Sequence, residues 1–424
     1  MESQSLTVFL ICVGVIAIDF YLFPGMRLGL KKWKFTQKKA FAWIYWTLSI
    51  IITSGVFIGI FVKMSLGIRA AFLLAFFLLF ISKAMFLPFI LADDIRRIIL
   101  KFKRRKSKQT VSETPQPNAI PRSEFLMKAG LLAGSVPLAG MVYGTISGVY
   151  DYRVHYQKLY LPNLPKAFDG IKLGQISDIH SGSFYNKKAV AGGVEMLMRE
   201  KADFIFFTGD LVNKRSKEMY EYQDIFSKVK APLGVYSSLG NHDYGDYWDW
   251  PDEAAKMADF NKLVATHKNM GWYLLRNENR RLKVNGEEIG ILGVENWGSI
   301  ARFPRRGRME PTIKNTDDLP VKLLLSHDPS HWRAQILPEY KQIDAMFSGH
   351  THGMQFGVRG ENFQWSPIEY IYPEWAGLYR EDDQQLYVNV GYGFLGYPGR
   401  LGILPEITIF ELKASADPSL QKKA

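Results

Sequence analysis

The sequence predicts an α/β protein preceded by a region of membrane-crossing helices. Two observations carry this prediction. Five short polar motifs lie in order between residues 178 and 352, each after a short apolar run of the kind that forms buried strands. Ahead of them, the first 150 residues hold long apolar runs separated by basic stretches.

In chain order the apolar runs come first. Leu6–Leu22, Phe41–Val62 and Ala70–Ala92 each approach or exceed the roughly 20 residues needed to cross a bilayer. A fourth, Phe125–Val149, carries only Lys128 as a charge and contains Pro137. The expected organisation is three spans with basic loops over 1–108 and a polar linker at 109–124. A fourth span or signal-anchor-like helix follows at 125–149, then a strand-rich domain at 150–412 and a polar tail at 413–424. The stretch Arg122-Ser123-Glu124-Phe125-Leu126 resembles a twin-arginine export signal, with Ser123 in place of the second arginine.

The chain has a net charge of +12, unevenly spread. Residues 1–128 hold 19 Lys and Arg against 6 Asp and Glu, and the remainder holds 34 against 35. The basic balance therefore belongs to the membrane region and gives no reason to expect nucleic acid as a partner. Loop Arg27–Lys39 has six Lys or Arg, Lys63–Arg69 two and Arg96–Lys108 eight. Positive charge stays on the cytoplasmic side, so the first and third loops face the cytoplasm. Four spans then place the domain outside it; if the fourth segment does not cross, the domain is cytoplasmic. Within the spans, Asp19 and Lys83 lie at similar depths, and an ion pair would relieve the cost of burying both. Cys12 is the only cysteine, so no intramolecular disulfide forms.

The motifs carry the chemistry. They are Asp178-Ile179-His180, Gly209-Asp210-Leu211-Val212-Asn213, Gly240-Asn241-His242-Asp243, Ser326-His327-Asp328 and Gly349-His350-Thr351-His352. Five of the eight histidines sit inside them. Strand ends are where α/β proteins build sites. Imidazole, carboxylate and an amide suit a borderline divalent cation such as Mn, Zn or Fe. The set is too large for one ion and sufficient for two sharing a carboxylate, the usual device for phosphoryl displacement.

The ordered set resembles the calcineurin-like metallophosphoesterases over residues 150–412, most closely their bacterial membrane-associated phosphodiesterase branch. That resemblance implies a four-layer αββα sandwich, two β-sheets packed face to face with helices outside. It implies two divalent ions (Mn, Zn, Fe or Mg). Asp178, His180 and His352 would hold one, Asn241, His327 and His350 the other, and Asp210 would bridge. A metal-bridging hydroxide would attack phosphorus. His242 would serve the leaving oxygen, and Asp243 would orient His242. Asn213 matches a trailing polar position with a supporting role. It also stands where purple acid phosphatases carry a tyrosine ligand, so no tyrosine–iron charge-transfer centre is expected. Asn213-Lys214-Arg215 replaces the Asp-Arg-Gly of the Ser/Thr protein phosphatases.

Around the motifs, Tyr244, Tyr247, Trp248 and Trp250 form an aromatic loop, and Tyr370, Tyr372 and Trp375 another. Trp248 is a candidate for gripping an acyl or sugar group. Arg302, Arg305, Arg306 and Arg308 form a basic loop, with Arg305 and Arg306 as candidates for an anion clamp. The expected activity is hydrolysis of a phosphodiester or pyrophosphate of a phosphorylated small molecule or envelope lipid. The alternatives are a phosphomonoesterase of the same fold and a non-catalytic membrane sensor of a phosphorylated ligand.

Overall fold

The computed structural model describes residues 2–62, 66–106, 122–300, 303, 305–360 and 363–415. The chain divides into two compact units, Met1–Val142 and Tyr143–Ala424. Of the linker expected at 109–124, residues 109–121 lie outside the described residues and 122–124 instead begin a helix; the loop at 63–65, the tail beyond 415 and Arg302 also lie outside them.

The first unit contains helices α1 (Glu2–Gly29), α2 (Lys39–Phe61) and α3 (Leu66–Lys106), and most of α4 (Arg122–Ile146). Four segments are long and apolar enough to cross a membrane: Phe9–Gly29, Lys39–Gly59, Phe72–Lys103 and Ser123–Ile146. The protein is an integral membrane protein. Glycines let these helices close up. A Cβ on Gly130 would lie 2.4 Å from the Phe86 ring, and one on Gly25 2.6 Å from Ile90 Cδ1. Small residues at helix contacts serve this purpose where lipid removes the hydrophobic drive. The Lys83 ammonium lies 2.8 Å from Asp19 Oδ2, so the expected pair is formed. The same carboxylate accepts from the Tyr45 hydroxyl at 2.5 Å and from Ser49 Oγ.

The second unit is a sandwich of two six-stranded sheets. The first has the order β1 (Arg153–Tyr160), β14 (Glu406–Lys413), β2 (Lys172–Ile176), β3 (Phe204–Thr208), β4 (Val235–Ser238), β5 (Tyr273–Leu274). The second runs β12 (Gly377–Glu381), β13 (Gln384–Val388), β9 (Ala345–Ser348), β8 (Lys322–Leu325), β7 (Glu287–Gly293), β6 (Glu278–Val284). A separate hairpin joins β10 (Val358–Arg359) and β11 (Gln364–Trp365). Strands β2 to β5 are mutually parallel, as are β7, β8, β9 and β13.

Strand β3 shows how the layers form. Its side chains alternate, as a strand's must. Phe204 and Phe206 join Leu173, Phe410, Ile291, Leu323 and Phe347 in the core between the sheets. Ile205 and Phe207 face the other way, against Val190, Val194 and Leu197 of α5 (Lys187–Arg199) and Phe226 of α6 (Gln223–Phe226). Leu263 of α7 (Glu253–Asn269) joins that cluster. On the far side, Leu324 and Met346 pack on Trp332 and Ile336. This is the four-layer αββα arrangement. The parallel strands of both sheets end at one edge, and the five motifs follow β2, β3, β4, β8 and β9 there.

Candidate metal centre

The turns after these strands are tight. Asp178, His180, Asp210, His350 and His352 all have positive φ, between 47° and 72°. Such a backbone costs a non-glycine residue on the order of 1–3 kcal/mol, and it persists where surroundings over-determine it. Gly349 makes one of the close approaches: a Cβ there would lie 2.0 Å from Ser177 Oγ and 2.1 Å from Asp178 Oδ2. The Asp178 carboxylate also accepts the His350 backbone N–H at 3.0 Å, locking the first motif to the fifth.

Two groups of donors result, Asp178 with His180 and His352, and Asp210 with His327 and His350; within each, the ligand atoms lie within 4.8 Å of one another. Asp210 Oδ2 stands 3.4 Å from His180 Nε2 and 3.1 Å from His327 Nε2, so it faces both groups. Asn241 is beside them in the same cavity of about 380 Å³. The seven candidate ligands therefore converge from five separate turns.

The donor set fits a cation. Among the described residues, neither ring nitrogen of His180 nor Oδ1 of Asn241 has a hydrogen-bond partner, although all are buried. Orphaned buried acceptors cost on the order of 1–3 kcal/mol each and call for a ligand. On each of the other three histidines one ring nitrogen is already committed. His327 Nδ1 donates to the Thr208 carbonyl at 2.7 Å, leaving Nε2 on the side of Asp210. His350 Nε2 lies 2.8 Å from the Tyr372 hydroxyl and 3.6 Å from Asp328, leaving Nδ1 toward His327. Such outer partners fix the ligating nitrogen. At His352 the partner is a buried guanidinium: Arg400 Nη2 stands 3.2 Å from Nδ1. Arg400 also donates to the carbonyls of Val390 and Gly391.

Burial alone would push the Asp178 and Asp210 carboxyls up. The imidazole of His352 for Asp178, and those of His327 and His242 for Asp210, hold them below the usual range. Burial pushes His180 and His350 down, favouring the neutral state a ligand needs. Burial works against a charge on His327 too, but the Asp210 carboxylate lifts it to about 10.

His242 lines the cavity without joining either donor group. Its Nδ1 donates to the Asn213 carbonyl at 2.7 Å, and Tyr247 stacks on its ring at 4.2 Å between centroids. The Tyr247 hydroxyl also accepts from Asn241 Nδ2 at 2.9 Å, which turns Oδ1 of that amide inward.

Several expectations need correction. Asp243 does not orient His242. Its carboxylate is turned onto the backbone N–H groups of Gly240, Asp210 and Leu211, at 2.8–2.9 Å, and organises two of the motif loops. Burial and the Asp210 charge push Asp243 up to about 7. Asn213 supports His242 through its main chain; its side-chain amide donates to Ser183 Oγ. Trp248 is not part of the cavity wall; it stacks with Arg215 at 4.1 Å. Arg305 lies over Trp297 and donates to the Gly298 carbonyl. Arg306 pairs with Asp246 and covers Tyr244. Both arginines serve local packing and are absent from the wall, which is completed instead by Tyr247, Phe303, Ile368, Tyr372 and Leu395. The sequence placed Tyr247 and Tyr372 in aromatic loops around the motifs without showing their partners, and no motif announced Arg400, because these roles depend on which loop approaches which.

Residues 171–354 match the model of the calcineurin-like phosphoesterases, and residues 4–149 match that of a probable calcineurin-like phosphoesterase transmembrane domain. The domain at residues 171–354 belongs to the calcineurin-like phosphoesterases. This phosphoesterase is 27% identical over 304 residues to an uncharacterized metallophosphoesterase of Bacillus subtilis, YkuE, covering 69% of this chain and 98% of that one. It is 26% identical over 280 residues to a transmembrane protein with a metallophosphoesterase domain from Danio rerio, covering 64% of this chain and 60% of that one. Among solved structures it is similar to the NAD nucleotidase of Haemophilus influenzae, at 14% identity and a TM-score of 0.35, over 53% of this chain and 45% of that one. The family makes the protein a hydrolase of phosphoric esters, and the donor groups suit the divalent metals such enzymes use.

Proposed function

We propose that this protein is a membrane-anchored phosphodiesterase or pyrophosphatase with two divalent ions, whose substrate is a phosphorylated component of the envelope, a lipid included. The observation that supports it best is Asp210, whose one carboxylate oxygen faces a histidine of each donor group. Asp178, His180 and His352 would hold one ion, Asn241, His327 and His350 the second, and Asp210 both. Two such ions supply charge to bind a phosphate and to activate water. The chain does the rest. The Thr208 carbonyl behind His327 and the Tyr372 hydroxyl behind His350 aim their ligating nitrogens. Tyr247 holds the Asn241 amide and the His242 ring in place. With Nδ1 bound to Asn213, His242 has Nε2 left to serve the leaving oxygen. The walls from Phe303, Ile368 and Leu395 exclude water and suit an apolar substituent on the ester. Loop charge supports an extracytoplasmic domain, since the basic loops bracket the second and third spans.

The test is hydrolysis of bis-p-nitrophenyl phosphate by the full chain in detergent, after chelation and again after resupply of Mn or Zn. Metal-restored turnover that is lost in Asp210→Asn and reduced in His242→Ala is expected. Turnover indifferent to metal, or an unaffected Asp210→Asn, contradicts the proposal.

A further inference from the structure

An apolar surface stands beside the cavity. In the segment 354–371, Phe363 and Tyr370 are 64% and 78% exposed, and Val358, Ile371 and Met354 are each more than half exposed. Exposed apolar residues grouped like this mark an interaction site. The one described arginine of the hairpin, Arg359, is turned inward onto Glu406. The same segment sends Ile368 into the cavity wall, with Tyr372 just after it, so the surface begins at the cavity's rim.

The base of the hairpin is tied to the end of α4. Gln355 donates to the carbonyls of Tyr397 and Gly399 at 2.7 and 3.0 Å, and accepts from the Leu401 N–H at 2.8 Å. That short segment, 397–401, also holds the last turn of α4. The Arg400 N–H donates to the Gly144 carbonyl at 3.2 Å, and the Thr145 and Tyr397 hydroxyls are 3.2 Å apart. A Cβ on Gly144 would lie 2.7 Å from the Arg400 carbonyl, so the approach is close. Tyr143–Ile146 is thus both the end of a membrane-span segment and part of the phosphoesterase unit. A surface bonded through five residues to the end of a span lies within reach of the bilayer, and its Phe, Tyr and Ile are residues that settle at the lipid interface.

We infer that the described residues of the hairpin and the turn after it, 354–360 and 363–371, dock on the lipid surface and open the cavity at the level of the headgroups. The consequence for the substrate rests on the phosphoesterase reading above: an amphiphile presents its phosphoester at the cavity while its chains stay in the bilayer.

The test uses the full chain in vesicles of phosphatidylethanolamine and phosphatidylglycerol. Single cysteines replace Phe363, Tyr370 or, as a control outside the hairpin, the exposed Tyr220, in a Cys12→Ser background. Each is labelled with an environment-sensitive dye. Quenching by lipids carrying a nitroxide near the headgroup is expected to be several-fold stronger at 363 and 370 than at 220. Equal quenching at all three overturns the inference. So does a dye shielded from iodide yet untouched by the lipid nitroxide, because protein, such as a second copy, then covers the surface. A second arm measures Phe363→Asp and Tyr370→Asp. Turnover of a fluorogenic phospholipid in the vesicles should fall at least tenfold, while hydrolysis of bis-p-nitrophenyl phosphate holds. Unchanged turnover of the lipid contradicts the substrate consequence. Absence of any hydrolysis contradicts the phosphoesterase reading and leaves the quenching result to decide the docking.

Discussion

Two buried clusters of charge can be compared within this chain, and they are built in opposite ways. Among the spans, the Asp19 carboxylate takes hydrogen bonds from Lys83, Tyr45 and Ser49. Its capacity is filled by the protein, as a structural pair requires. At the edge of the sandwich, the side chains that hold the cluster in place are filled and the ones that face the cavity are not. His327 and His350 are bound from behind, whereas the nitrogens of His180 and Oδ1 of Asn241 stay open. The first cluster secures a helix bundle, and the second is prepared for something the chain does not itself supply.

Mutations can break or sharpen that contrast. The largest effect is expected from Asp210→Asn, which should abolish metal-restored hydrolysis. Asp19→Asn should leave kcat of the folded fraction intact, and steady-state kinetics on the two purified variants checks both. Equal loss of kcat would erase the distinction. Next, Asp19→Ala leaves the partly buried Lys83 without its carboxylate, which is destabilising. A lower thermal midpoint and poorer yield should follow, and exchanging the two residues (Asp19→Lys with Lys83→Asp) should recover part of the loss. A smaller effect is expected behind the metal ligands. Tyr372→Phe removes the partner of His350 Nε2 and should weaken metal binding by about 10–100-fold, measured by competition with a chelator. Arg305→Ala with Arg306→Ala should leave KM for bis-p-nitrophenyl phosphate unchanged, because both side chains are engaged outside the cavity.

The smallest effect concerns pH. Burial lowers His267 to about 3 and His331 to about 4, and both lie outside the donor groups. Their pKa values are depressed on folding, so below about 6.5 the unfolded chain binds more protons than the folded one. Stability is therefore full above pH 6.5 and falls as pH drops toward 4. Thermal midpoints from pH 7.5 to 4.5 should decline, and less steeply in His267→Gln.

Much of the fold was legible in the sequence for a physical reason. Strands of parallel sheets are buried on both faces and read as near-continuous apolar runs. The runs before Asp210, Asn241 and His327 accordingly correspond to β3, β4 and β8. The convergence of the seven candidate ligands follows from the ends of those strands. What was not legible depends on rotation and approach. The family resemblance implied that Asp243 serves His242, but the turn at Gly240 brings backbone amides to that carboxylate first. Arg306 looked free to clamp an anion until Asp246, sixty residues away in sequence, was found beside it. The hydrogen bond from Arg400 to the last turn of α4 was likewise not legible, because it joins residues some 250 apart in the sequence.

The most direct measurement is a metal count. The full chain, stripped by chelation and dialysed against Mn or Zn, would be analysed by inductively coupled plasma mass spectrometry beside Asp210→Asn and Asn241→Ala. Two ions per wild-type chain and fewer in both variants are expected. A wild-type chain that retains no stoichiometric metal, or variants that still retain two, would contradict a centre built on Asp210 and Asn241.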